Sequence, residues 1–492
     1  MTDAASSAGS PTADARRWRA FSMVLAGGFM TLLDVSIVNV ALPSIQTVLS
    51  ATASQIQWII AGYSLAFGLM LVPAGRFGDI FGRRRMFLIG LAGFTVFSLA
   101  CGFAPSASAL AVLRLAQGVF AGIMNPQISA LIQELFQGAD RARAFGMFGM
   151  TVGVSTAIGP LLGGILVTGI GAEHGWRSVF LINVPIGLVL LPLAARNLPS
   201  TTRRSREDGV GLDVPGLLLI ATIVLSVMWP FVTASSHPEG LAGAPWWLLL
   251  VAAALLIILV LWERAQDGQG RPAVLPRVLM RNLGFVMGAT LAAAYFAGFT
   301  SIFVVVTMFY QDGLGTSALI AGLAQLPFAL TSAIASQWSA RRVMRLGRRI
   351  VVRGLLLMSA AVVMMAVVAS FAPVSISQWA IPVLMGIGGW GSGSVISPNQ
   401  TLTLAEVPVP LAGTAAGLMQ TFQRLGGAMG LALLTTVYFA RVAAENDGPE
   451  AYAHALGLSL VFTLAILLLA TGIAVADARR RRSLSQGDGA IT

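Results

Sequence analysis

The chain contains no lysine: all 31 of its basic residues are arginine. Charge of either sign is scarce, at 10% of 492 residues, well below the share usual in soluble domains. There is a single cysteine, Cys101, which excludes an intrachain disulfide and a CxxC metal site. Three histidines, His174, His237 and His454, are too scattered for a metal centre. No polar stretch between apolar runs is longer than about twenty residues, so no soluble domain fits between them. The chain also lacks the His, Asp or Glu clusters near one face that an integral-membrane enzyme would need.

What is present is apolar. Hydrophobic residues make up 56% of the chain and mean hydropathy is +0.81, the composition of a polytopic membrane protein. Runs of about 20 apolar residues predict fourteen helices near 20–43, 55–75, 85–104, 108–133, 144–168, 176–195, 214–233, 246–262, 283–309, 316–338, 350–371, 377–403, 411–439 and 455–476. The Ala- and Ser-rich start reads as a disordered tail. The run after Arg19 is too long for a signal-peptide core and reads as a true span.

The net charge of +11 does not point to nucleic acid, because the arginines fall in short clusters beside apolar runs. With fourteen spans, 27 of the 31 lie on one side, from Arg16, Arg17 and Arg19 through the loops at 76–85, 141–143, 196–206, 264–281 and 341–353 to the tail at 479–482. Arg177 and Arg441 alone fall on the other side. The crowded side, which holds both termini, is therefore expected to be cytoplasmic.

Asp34 is a carboxylate in the middle of the first span, where an acid is costly and by default marks an ion or substrate pathway. Arg114 and Arg424 lie inside spans four and thirteen and cannot be topology signals. At about 1.5 Å per residue, Asp34 is roughly 22 Å in from Arg19, and Arg114 roughly 9 Å in from the opposite edge near Ser108. In a core about 30 Å thick those depths coincide, so Arg114 is the expected partner of Asp34.

Sliding the chain by about 270 residues reveals a repeat. Asn125-Pro126-Gln127 finds Pro398-Asn399-Gln400, Glu134 finds Glu406, and Gly146 and Gly159 find Gly417 and Gly430. The loop from Gly75 to Arg84 is echoed from Ala340 to Arg349. The predicted organisation is a tail at 1–19, a six-helix bundle at 20–197, a linker with two inserted helices at 198–281, a second bundle at 282–477 and a basic tail at 478–492. Two such halves around a midplane cavity suit a secondary transporter. Tyr295, Phe299 and Phe303, at i, i+4 spacing, are candidates for an aromatic wall of that cavity. Asp34, Gln117, Asn125, Gln325, Asn399, Gln420 and Arg424 are candidates for its polar groups, with Gln423 beside them.

Four motifs resemble the major facilitator superfamily, and within it the fourteen-helix drug:proton antiporters. Gly75-Arg76-Phe77-Gly78-Asp79-Ile80-Phe81-Gly82-Arg83-Arg84-Arg85 is similar to the family's loop between helices two and three. The resemblance makes Gly75, Asp79, Gly82, Arg83 and Arg84 a cytoplasmic gate latch. The stretch Leu110 to Gly122 is similar to the helix-four motif, which ties Arg114 to proton transfer. Gly149, Gly153, Gly159, Pro160, Gly163 and Gly164 resemble the helix-five motif of exporters. Leu33-Asp34 through Ala41-Leu42-Pro43 resembles the first-helix motif of the fourteen-helix branch, and the segments Trp176 to Pro185 and Phe422 to Ala428 fit it too.

The resemblance implies an all-α major facilitator fold of two pseudo-symmetric six-helix bundles plus two inserted helices. It implies a proton-coupled exporter of amphipathic small molecules, working by alternating access in a bacterial plasma (inner) membrane. Protons would be the coupling ion, with no cofactor and no metal; the lipid bilayer and the small substrate would be the partners, and the chain is expected to act as a monomer. A dedicated exporter of one self-made metabolite is the alternative. A proton-coupled peptide importer fits less well, since its first-helix motif is missing. The second half shows no buried acid, Asp312 and Glu406 falling at helix ends, so polycationic substrates are disfavoured.

Overall fold

Apolar length and helix punctuation together decide the elements. A computed structural model describes residues 11–199, 213–234, 243–268, 274–445 and 448–487, and among them every regular element is helical. The first half comprises α1 (Pro11–Val48), α2 (Ala53–Phe81), α3 (Arg83–Gly102), α4 (Ala107–Leu135), α5 (Gly138–Ile170), α6 (Ala172–Leu181) and α7 (Asn183–Asn197). Next come α8 (Val214–Ala234), α9 (Trp247–Gly268) and the short α10 (Arg277–Arg281). The second half holds α11 (Leu283–Met308), α12 (Ala318–Ala340), the short α13 (Val343–Leu346), α14 (Arg348–Phe371), α15 (Val374–Ala405), α16 (Ala412–Ala444) and α17 (Pro449–Gly487). Among the described residues fourteen spans are long and apolar enough to cross a bilayer, α6 and α7 counting as one broken span.

Local chemistry explains the breaks. Pro185 has no N–H to return to the carbonyl of Leu181, and α6 gives way to α7 at Ile182. Thr52 and Gln55 form a reciprocal capping box at the start of α2, and Ser106 caps α4 through the Ala109 amide at 3.2 Å. The turn from α2 into α3 passes through Gly82 at φ 98°, and the turn into α14 passes through Gly347 at φ 54°. Both lie in the region that only glycine enters cheaply, and they occupy the same place in the two halves.

The halves pack alike. α1 lies on α5, α2 on α4 and α3 on α4; correspondingly α11 lies on α16, α12 on α15 and α14 on α15. Across the seam, α2 meets α16 and α5 meets α12, as a two-fold exchange of equivalent helices requires. Each half has its own apolar core, with Phe87, Phe94 and Phe145 in the first and Phe309, Met358 and Tyr438 in the second. α8 lies along the seam against both α2 and α16, while α9 packs on α8 and exposes Leu250, Ile257 and Leu261. Exposed aliphatic side chains of this kind suit a lipid-facing surface.

Two expected boundaries shift. α1 begins at Pro11, so part of the expected N-terminal tail is helical, while residues 1–10 lie outside the described residues. α17 continues to Gly487, beyond the expected end of the last span, because nothing in Ala478-Arg479-Arg480-Arg481-Arg482 breaks a helix.

Candidate functional site

Asp34 sits on α1 at 0% exposure, and three donors converge on its carboxylate. Arg114 Nη1 on α4 donates to Oδ2 at 2.6 Å. Gln117 Nε2, one turn along α4, donates to Oδ1 at 3.1 Å, and Asn183 Nδ2, on the first residue of α7, donates to the same oxygen at 3.0 Å. The Ser98 hydroxyl accepts from both amides and donates to the Phe180 carbonyl at 2.9 Å. The Arg114 guanidinium also donates to Gln117 Oε1 at 2.8 Å and lies 4.0 Å from the centroid of the Tyr63 ring. A charge pair this deep needs its remaining hydrogen-bonding capacity filled, and here four helices fill it. Sequence reasoning does not single out Asn183 or Ser98 as site residues. The signals for Asn183 are that it lies in the Trp176 to Pro185 segment and is the lone amide in the apolar run from Val179 to Leu191.

A cavity of about 600 Å³ lies between the halves. Its lining reaches from Asn125 and Phe148, each about a third of its helix in from the arginine-rich end, to Gln57 in the second turn of α2, at the end away from the arginine clusters. Phe67, Phe296, Phe299 and Phe303 supply aromatic faces, and Asn39, Gln400, Gln420 and Gln423 supply amides. Such a mixture of apolar wall and sparse polar groups is typical of small-molecule sites. Met228 and Phe231 bring the inserted helix α8 into the wall.

At the arginine-rich end the two halves are in direct contact. Asp79, near the end of α2, accepts the Gly413 amide at 3.0 Å, the Thr414 amide at 2.8 Å and the Thr414 hydroxyl at 2.8 Å. Those amides are among the unsatisfied donors that open α16, so Asp79 caps a helix of the other half. Arg83 holds Asp79 at 3.2 Å and Glu134 at 2.9 Å, and donates across the seam to the Val409 carbonyl. Gly75 and Gly413 touch backbone to backbone, leaving no room for a Cβ on either. Gly82 makes the turn behind them, and Arg84 donates to the Ala195 carbonyl on α7.

A family model for the Major Facilitator Superfamily matches residues 24–431. The chain belongs to the major facilitator superfamily. It is 32% identical over 496 residues to the puromycin resistance protein pur8 of Streptomyces alboniger, covering 97% of this chain and 95% of that one. It is 31% identical over 427 residues to the multidrug resistance protein Stp of Mycobacterium tuberculosis, covering 86% and 76%. Among solved structures, the proton:xylose symporter XylE superposes with a TM-score of 0.64 over 92% of this chain and 95% of that one, at 15% identity, a likeness of fold alone.

In this major facilitator protein α5 is a two-sided seam helix. Gly159 and Gly163 press against Ser36, Ile37 and Val40 of α1, while Gly149 and Gly153 press against Ser336, Ala329 and Ala333 of α12. Pro160 packs on Gly322 of α12, and Gly164 is more loosely placed, with Leu319 as its neighbour.

Of the candidates for the cavity, Asn125, Phe299, Phe303, Gln420 and Arg424 line it. Five others are placed elsewhere. Asp34 and Gln117 are buried in the polar cluster; Leu32, Ser36 and Asn39 form the cavity stripe of α1, and Asp34 is turned about 200° from Leu32 at 100° per residue. Tyr295 is buried and donates to Ser392 Oγ at 2.7 Å; the cavity stripe of α11 begins at Phe296, because i, i+4 spacing drifts round a helix of 3.6 residues per turn. Gln325 ties α12 to α11 through Thr307 Oγ1 at 2.7 Å and the Phe303 carbonyl at 3.2 Å. Asn399 accepts from Arg348 and donates to the Gly288 carbonyl at 3.1 Å, leaving its neighbour Gln400 to face the cavity.

The second half does bury an acid. Asp477, at 1% exposure on α17, pairs with Arg348, Arg480 and Arg481, and Glu406 pairs with the last two. In sequence Asp477 stands at the end of an apolar run and so reads as interfacial, whereas α17 runs on and Arg348 folds inward to meet it. This cluster is at the arginine-rich end, away from the cavity.

Proposed function

We propose that this transporter exports amphipathic small molecules across a bacterial plasma membrane in exchange for protons, with both termini in the cytoplasm. The observation that carries the proposal is the complete burial of Asp34 among Arg114, Gln117 and Asn183, on the reverse face of a helix that lines an aromatic and amide-bearing cavity. Resistance proteins among the relatives support the direction of transport.

Asp34 is the proton carrier. Protonation removes one charge of a buried pair and strands the guanidinium of Arg114, so the cluster must rearrange. α1 carries Asp34 on one face and Leu32, Ser36 and Asn39 on the other, so any shift of that helix is felt in the cavity. Substrate and proton thus act on one helix rather than compete for one carboxylate. The latch at Asp79 opens in the alternate state, in which the cavity faces the cytoplasm. Protons are the only coupling species required, and one chain suffices.

The test is uptake of a panel of lipophilic dyes and antibiotics, puromycin included, by inside-out vesicles under an imposed pH gradient. Accumulation that collapses with the gradient supports the proposal, and accumulation indifferent to it ends proton coupling. Uptake of a single compound class from that panel would favour the dedicated exporter, a reading the puromycin-resistance relative also supports.

A further inference from the structure

Arg424 is the other arginine at bilayer depth, and it is built differently from Arg114. It stands 12 residues into α16, about 18 Å from the arginine-rich end, and its side chain lines the cavity. No hydrogen bond or ion pair holds it among the described residues; its guanidinium lies 4.3 Å from the centroid of the Phe67 ring. Asp34 does not pair with it: that carboxylate is outside the cavity lining and is held by Arg114, Gln117 and Asn183. Among the described residues lining the cavity there is no Asp, Glu or His, so Arg424 is their one ionic group.

A guanidinium at this depth without a fixed counter-ion is expensive. We propose that the substrate supplies the missing charge: the cavity takes amphipathic aromatic monoanions, with a carboxylate or sulfonate on Arg424 and the ring system against the aromatic wall. This deepens the export reading above and rests on it.

Charge count limits the ligand to a single anionic group, because one guanidinium neutralises one. The planar fork of arginine matches the two oxygens of a carboxylate or sulfonate, and Gln420 and Gln423, at i−4 and i−1 on the same helix, can donate to its remaining lone pairs. Phe296, Phe299 and Phe303, successive along α11 and packed edge to face, provide an aromatic wall on whose ring faces and edges a ligand's ring system can pack. A cationic amphiphile of the same shape would meet like charge with no carboxylate to offset it.

The test uses three probes on one skeleton: 1-pyrenebutyrate, its methyl ester, and the pyrenebutyl trimethylammonium ion. Binding is read as tryptophan-to-pyrene energy transfer in the full chain in lipid nanodiscs, with empty nanodiscs subtracted. The acid should bind about tenfold or more tightly than the ester, the scale of one charge-assisted hydrogen bond, and the ammonium ion more weakly still. Arg424→Gln should erase the preference and Arg424→Lys should keep part of it, with thermal melting as the control for folding. Equal or tighter binding of the ammonium ion, a preference that survives Arg424→Gln, or no saturable binding of the acid would each overturn the proposal. Gradient-driven accumulation of the ammonium probe alone would leave the exporter standing and remove this inference. Arg424-dependent binding of the acid without accumulation of any probe would do the reverse.

Discussion

Asp79 and Thr414 belong to different halves of the molecule, yet the carboxylate of the first accepts both the amide and the hydroxyl of the second at 2.8 Å. A residue 335 positions away in sequence thus caps α16 as a local N-cap would. In the proposed transport cycle this is the contact that breaks when the arginine-rich end opens.

The latch gives the first prediction. Asp79→Asn keeps one acceptor but loses the charge that favours a helix N-terminus and the pairing with Arg83, a cost of about 0.5–2 kcal/mol to the closed state. The variant should insert and melt normally while its turnover in proteoliposomes falls. Adding Thr414→Val to it should cost less than that substitution costs the parent, since the partner is already weakened. A turnover equal to the parent's would remove the gate role.

Proton coupling is tested at Asp34. Asparagine preserves the shape and the bonds from Gln117 and Asn183 but carries no titratable proton, so Asp34→Asn should abolish gradient-driven transport and leave substrate binding measurable. Asp34→Glu should restore part of the transport. Normal proton-driven rates in Asp34→Asn would end the carrier assignment.

The pair itself predicts an inequality in stability. Arg114→Ala strands a carboxylate at 0% exposure, which typically costs about 3–5 kcal/mol. Asp34→Asn combined with Arg114→Gln removes both charges and retains amides that can bond one another. The double variant should therefore have the higher melting temperature in detergent. The opposite order would show that the pair is not what holds α1 against α4.

Orientation can be read chemically. In a Cys101→Ala background, Pro105→Cys lies in the exposed turn between α3 and α4, and Asp140→Cys lies in the exposed first turn of α5. An impermeant thiol reagent on intact cells should label the first and spare the second. Labelling in the reverse pattern would invert the map.

Close packing of α1 on α5 predicts a rescue. A Cβ on residue 159 would run into the Ser36 side chain, whose hydroxyl donates to the Ser155 carbonyl at 3.1 Å. Gly159→Ala should destabilise by about 1–3 kcal/mol through overpacking. Ser36→Gly in the same chain should recover much of it in thermal melting. A double variant that melts no higher than Gly159→Ala alone would show that Ser36 is not what the added methyl meets.

Sequence alone determined what depends on distance along the chain. Apolar length sets the number of spans, arginine placement sets which ends lie together, and the fixed rise of a helix puts Asp34 and Arg114 at one depth, where the structure has them in contact. The repeat in Gly82 and Gly347 was readable because a positive φ demands the same residue twice. Tertiary structure decided what depends on rotation about a helix and on which helix stands next. Depth could not tell that Asp34 faces away from the cavity, that Tyr295 turns into the core while Phe296 turns out, or that Gln400 rather than Asn399 is the exposed amide. Each differs from its neighbour by only about 100° of azimuth. Nor could it tell that Asn183 completes the bonds to Asp34, that Arg348 at the start of α14 turns inward to meet Asp477, or that α8 forms part of the cavity wall, because those contacts join residues far apart in the chain. Burial demands a partner for every such polar group, but only packing names it.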